Sequence, residues 1–360
     1  MTENRPSMVR PDGMTAPVGQ DGASSGTGPE RAAIAVVCRD TETGGRPANR
    51  GPGAAGEPGA AAGFRLLAPG LRWLLFTASV LVAVAGIQLL VFTAHTGQYF
   101  AFTITNPLAA AFLGAGYWAA VPIEALAARQ ARWANARISV PAVLTFTVLT
   151  LAVTLTHLGQ LHHGARYPAP TQAVTVAWLA IYVLVPALLT TFWVRQARSP
   201  GTDPPRTARL PGWLCATLAA QAAVLLGAGT ALFTAPAQAA PAWPWHLTPM
   251  LAQATGAWLI ALGVASAHVI AERDPRRLRP AAAGSIVLPV LLAAALARYP
   301  HQFHWHSTAA IAYLTLLATM LLTGAIILAR GRPRRPPATA PATREETRGN
   351  QDGRQRQSQA

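Results

Sequence analysis

The chain has 360 residues, of which 51% are hydrophobic and only 12% charged, about half the charge expected of a soluble domain. Its mean hydropathy is positive, +0.28, although both ends are polar, so an ordinary soluble globule is excluded and the middle must be strongly apolar. A net charge of +15 would suggest nucleic acid in a soluble protein. Here every basic residue is an arginine, set between apolar runs or in the tails, so the expected partner is a lipid bilayer and not nucleic acid. Two cysteines, Cys38 and Cys215, make no disulfide framework.

Residues 1–64 are rich in Gly, Pro, Ala and Ser without apolar periodicity, which predicts a disordered N-terminal tail. Nothing there combines the basic, apolar and cleavage-site parts of a signal peptide. Eight apolar runs follow, near 71–94, 107–128, 139–160, 172–194, 212–234, 248–270, 281–298 and 308–329. Each is close to the ~20 residues that cross a bilayer as a helix. Backbone inside hydrocarbon must satisfy its own polar groups, so the expected fold is an all-α membrane protein of eight transmembrane helices. The seventh run, with Pro289 inside it, is the shortest. Residues 331–360 read as a disordered basic C-terminal tail.

The loops predict orientation. Arg129, Arg132 and Arg137 follow the second run; Arg195, Arg198, Arg206 and Arg209 follow the fourth; Arg273, Arg276, Arg277 and Arg279 follow the sixth. The alternate loops hold only Arg166 and Arg298. Arginine concentrates on the cytoplasmic side of membrane proteins, so both termini are expected in the cytoplasm and the protein in the cytoplasmic membrane.

Two halves, 65–200 and 201–330, match in order. The stretch 106–117, NPLAAAFLGAGY, recurs loosely as 248–259, TPMLAQATGAWL. Each has a capping side chain, then proline in the first turn, where its missing N–H costs nothing. Ala110/Gly114 and Ala252/Gly256 are small-xxx-small pairs, which let another helix approach closely. Further matches pair Trp73-Leu74 with Trp213-Leu214, Phe92-Thr93-Ala94 with Phe233-Thr234-Ala235, Arg137 with Arg276, and Gln160-Leu161-His162-His163 with Gln302-Phe303-His304-Trp305. The separations stay between 139 and 142 residues. Two parallel four-helix repeats about a pseudo-two-fold axis along the membrane normal are therefore expected.

Candidate residues divide into two sets. At the expected repeat interface, Asn106, Gly114, Thr248, Gln253 and Gly256 would line a solute site. At the outer ends stand eight of the nine histidines. His162 and His304 occupy matching positions, with His157 one or two turns below, and such a set can ligate a transition metal or a haem iron. The other reading is interfacial: imidazole, like tryptophan and tyrosine, suits a membrane surface, and Trp243, Trp245, Trp305, Tyr99 and Tyr167 at the same level would form an aromatic belt. Glu124 is the one carboxylate well inside a run, and its expected role is to snorkel toward the loop carrying Arg129. Gln88, Gln221 and Gln253 would bond neighbouring helices. With no HExxH, G-x-S-x-G or Walker loop, no enzyme is expected.

The stretch 99–120, YFAFTITNPLAAAFLGAGYWAA, and the Gln160-Leu161-His162 corner resemble uncharacterised multi-pass membrane proteins of actinobacteria, over roughly residues 66–330. The resemblance implies a multi-pass membrane protein and carries no activity; the run at 301–306 lies outside the shared pattern. Three functions remain open: a carrier or permease for a small uncharged or apolar solute, a metal- or haem-binding membrane protein, and a membrane scaffold.

Overall fold

The computed structural model describes residues 63–331. The readings of the two tails lie outside them. Eight helices are long and apolar enough to cross a membrane, and no strand occurs among the described residues. They are α1 (Pro69–Leu90), α2 (Pro107–Ala128), α3 (Val140–Thr156, which with the helical turns before it forms the span Trp133–Thr156), α4 (Ala169–Arg198), α5 (Gly212–Thr234), α6 (Pro249–Glu272), α7 (Arg279–Arg298) and α8 (Thr308–Arg330). Asn106 and Thr248 cap α2 and α6 as their positions before proline require: Asn106 Oδ1 accepts from Ala109 N at 3.0 Å and Thr248 Oγ1 from Leu251 N at 3.3 Å. Pro122, Pro186 and Pro289 lie within α2, α4 and α7. Each removes one backbone donor, which packing and neighbouring hydroxyls accommodate in membrane helices.

The helices pair closely as α1 with α2, α5 with α6, α3 with α4 and α7 with α8. Across the middle, α2 packs on α7, α6 packs on α3, and α2 meets α6. The reason is side-chain size. From Leu108 to Tyr117 every residue of α2 is buried, and most are Ala or Gly, so neighbouring backbones come close. A Cβ on Gly114 would stand 2.6 Å from Leu90 N of α1, and one on Gly256 2.8 Å from Phe233 N of α5. These two glycines therefore hold each half's own helix pair together. The contact between α2 and α6 is made by Gly116 and Trp258, where a Cβ on the glycine would lie 2.9 Å from the indole. Bulky apolar side chains such as Phe76, Val84, Val183, Val224 and Leu322 stay exposed on the outside of the bundle, the surface that a bilayer would cover.

Both ends of the bundle are tied by matching backbone hydrogen bonds. At the histidine-rich end, His162 N donates to Ala101 O at 3.0 Å and His304 N to Pro244 O at 2.9 Å. At the arginine-rich end, Leu67 N donates to Ala131 O at 2.9 Å and Leu210 N to Arg273 O at 3.0 Å. The corners after α3 and α7 each contain a single 3-10 turn, Leu158–Gln160 and Pro300–Gln302. Their internal bonds correspond as well: Gln160 N to His157 O and Gln302 N to Tyr299 O, then His163 N to Leu161 O and Trp305 N to Phe303 O.

The arginine-rich end also carries a partly buried ionic network. Arg137 bonds both Asp203 and Glu272; Arg277 reaches Glu272 at 3.2 Å and Asp274 at 3.9 Å, and donates to Pro204 O. It joins the segment before α3, the α4–α5 connection and the end of α6. Pairing of this kind is what lets charges such as Glu272, Asp274 and Arg277 be buried.

A membrane-embedded cavity and its candidate site

Two cavities flank the contact between α2 and α6. The first, about 80 Å³, is walled by α1 to α4 together with α6. Its lining is mostly apolar, with Phe146, Ile181 and Trp258 prominent, and its polar groups are those of Glu124, Thr147 and Tyr182 and the indole N–H of Trp258. The second, about 50 Å³, is walled by α5 to α8 together with α2. Its polar side chains are Gln221, Ser266, Ser285 and Thr323. The cavities correspond position by position. Glu124 in the first and Ser266 in the second are 142 residues apart, as are Ile123 and Ala265, Ala120 and Leu262, and Gly116 and Trp258. Ala120, Ile123, Trp258, Leu262 and Ala265 line both.

The polar groups fare differently in the two. In the second cavity Ser266 donates to Leu262 O at 3.0 Å, Ser285 to Ala281 O at 3.0 Å, and Gln221 Nε2 reaches Thr323 Oγ1 at 3.5 Å. In the first, Thr147 donates to Leu144 O at 3.1 Å, and the Tyr182 hydroxyl bonds that of Tyr117 at 2.6 Å. Glu124 is 2% exposed, and its Oε2 has no hydrogen-bond partner among the described residues. Burying a carboxylate with no partner is costly, whether charged or neutral. Its chemistry is therefore left open.

The expected pairing of Glu124 with the Arg129 loop is not found. Arg129 is exposed, five positions on along α2. At 3.6 residues per turn, groups three or four apart share a face, whereas five apart diverge. A third cavity, about 40 Å³, continues toward the histidine-rich end. It shares Phe146 and Trp258 with the Glu124 cavity and adds Tyr117, Thr150, Thr154 and Trp178. The Tyr117–Tyr182 hydrogen bond thus connects side chains of adjoining cavities.

The five residues expected to line a solute site lie outside these three cavities. Asn106 and Thr248 are occupied as helix caps, and Asn106 Nδ2 also donates to His246 O at 3.3 Å. Gly114 and Gly256 seat α1 and α5. Gln253 Nε2 donates to Phe233 O of α5 at 3.1 Å, and its Oε1 has no partner among the described residues. None of the five lines the three cavities above.

Nor do the histidines converge. His162 is buried, with Nδ1 2.8 Å from Phe100 O and Nε2 2.8 Å from Thr103 Oγ1. Both ring nitrogens are thus engaged by the protein. His157 Nδ1 lies 3.0 Å from Val153 O. His304 is exposed beside His246 in a surface depression. Among the described residues no three His, Cys, Asp or Glu side chains come together as a metal-binding group. The aromatic belt also needs correction. Trp305 and Tyr99 are exposed, but Trp245 is 1% exposed and packs with Phe112, Trp243, Phe303 and Tyr313. The chain after α5 folds back over the helix ends and buries it. Comparison with protein-family models, curated proteins and solved structures finds no match to this chain.

Proposed function

We propose that this protein is a carrier, not an enzyme, for a small and largely apolar solute. In this reading it consists of two copies of a four-helix unit facing each other across α2 and α6. The single observation that carries it is the pair of cavities at matching positions, each walled by four helices of one half and one helix of the other. Parallel-repeat transporters place their substrate near the bilayer midplane at such an interface. The duplication is supported by the constant spacing of the capping, corner and hydrogen-bond pairs, which extends the sequence matches into backbone geometry. The solute site is then the Glu124 cavity, not the set of caps and glycines expected from sequence.

The arginine-rich end is proposed to face the cytoplasm, with both termini there and the protein in the cytoplasmic membrane, on the positive-inside bias of the loops. The test is reconstitution of the purified chain in proteoliposomes, followed by uptake of a panel of small neutral and singly charged solutes. Uptake of at least one solute above empty vesicles supports a carrier; a panel that moves no faster than in empty vesicles overturns it.

A further inference from the structure

We propose that the Glu124 cavity binds a small organic amine, whose ammonium group neutralises the carboxylate and whose carbon skeleton lies on Phe146, Tyr182 and Trp258. This rests on the reading of that cavity as the solute site and departs from the uncharged solute expected from composition.

Three observations carry it. The first is charge. No arginine or histidine lines the cavity, and Glu124 Oε2 has no protein partner among the described residues, so a negative charge there can be balanced only by something that enters. A proton or a cation would serve. The second is the wall. Among the described residues the other polar side chains of the lining are Thr147 and Tyr182, whose hydroxyls each already hold a partner, and Trp258, whose indole N–H can only donate. Hard metal ions need several oxygen ligands, which this wall cannot supply. An ammonium needs few, and the faces of tryptophan, tyrosine and phenylalanine attract it, more strongly once it is desolvated. The third is size. A volume of about 80 Å³ admits more than one water but falls well short of the ~300 Å³ of a drug-sized pocket. That leaves an amine of roughly three to six heavy atoms.

Proton and amine would then exclude each other, since both are held by the same carboxylate. Apart from Glu124, Tyr182 on α4 is the only titratable side chain lining the cavity among the described residues; α1, α3 and α6 contribute none. On α2 itself, Tyr117 is bonded to Tyr182 and Arg129 is exposed beyond the helix end. The neighbouring His268 lies beside Glu272, 3.8 Å away, and Arg137 is held by Asp203 and Glu272. Exchange of one proton for one ammonium makes amine binding at most tenfold tighter per unit rise in pH, over the range in which the carboxyl is protonated when the cavity is empty.

The experiment uses the full chain in lipid nanodiscs and a hydrophobic carbodiimide, which modifies protonated carboxyl groups in apolar surroundings. Modified sites are mapped by peptide mass spectrometry. The expected result is modification at Glu124 that propylammonium chloride suppresses in a saturable way, with less propylammonium needed at higher pH. Equal concentrations of sodium chloride or 1-propanol should give no protection. Glu124→Gln should lose the modification, and Glu124→Asp, which keeps the carboxyl, should retain it. Protection by 1-propanol as effective as by propylammonium overturns the amine and leaves a neutral solute in the same cavity. Protection by sodium chloride alone overturns it in favour of an inorganic cation. Absence of modification at Glu124 in a folded wild-type protein also overturns it. Failure of the carrier reading is seen separately, as absent uptake in proteoliposomes despite protected labelling.

Discussion

The two cavities beside the α2–α6 contact have the same architecture and opposite chemistry. In one, the polar side chains satisfy each other or the backbone, as Ser266 does with Leu262 and Gln221 with Thr323. In the other, a buried carboxylate stands at the position matching Ser266 with an oxygen that has no hydrogen-bond partner among the described residues. Position and packing are shared, so the difference is not needed to build the bundle. Structural polar groups in membrane helices find partners because hydrocarbon offers none. In the proposed reading, a buried carboxylate left without one awaits a ligand.

The wall between the cavities gives the largest test of that comparison. Trp258 lines both and fills the gap over Gly116. Trp258→Ala should cost about 3–5 kcal/mol of stability, measured by thermal unfolding in detergent, and should remove discrimination between solutes of different size. Glu124→Gln comes next. Amine binding should fall roughly a hundredfold, equivalent to about 2.7 kcal/mol, in a titration of the purified protein, while Ser266→Ala leaves it unchanged. The proposed duplication predicts a matched pair of effects. Gly114→Leu and Gly256→Leu should each destabilise by about 1–3 kcal/mol through overpacking, and by similar amounts in the same melt, because each glycine seats the first helix of its own half. Very unequal costs would weaken the equivalence of the halves. The smallest effect is expected at Gln253. Gln253→Leu removes one hydrogen bond to Phe233 together with an oxygen that lacks a partner, so its net cost should stay within about 1 kcal/mol.

Much of the fold is legible in the sequence. Run length marked the eight helices, and a capping residue before proline marked the starts of α2 and α6 to the residue. The site was less legible, for reasons that can be named. Ala110/Gly114 and Ala252/Gly256 do mark close helix contacts, but a small-xxx-small pattern does not say which helix approaches. Here it is α1 or α5, while the contact between halves falls to Gly116 and Trp258, two positions further along each helix, where the face has turned by about 200°. Glu124 stands out in the sequence, where the nearest arginine is Arg129. The five-residue spacing argues against that pairing, and only the packing of α3, α4 and α6 reveals the cavity. Arg137, Asp203 and Glu272 come from three distant segments, so their network has no local signature; the arginines alone suggested orientation. His162 and His304 match in backbone and differ in side chain, because an extended segment at Phe100 to Thr103 covers the first and the second stays open beside His246.

Uptake of propylammonium into proteoliposomes, compared between the wild type, Glu124→Gln and Ser266→Ala, tests the central claim most directly. The account predicts uptake above empty vesicles for the wild type and Ser266→Ala, and none above that background for Glu124→Gln. Equal uptake by the wild type and Glu124→Gln would contradict it.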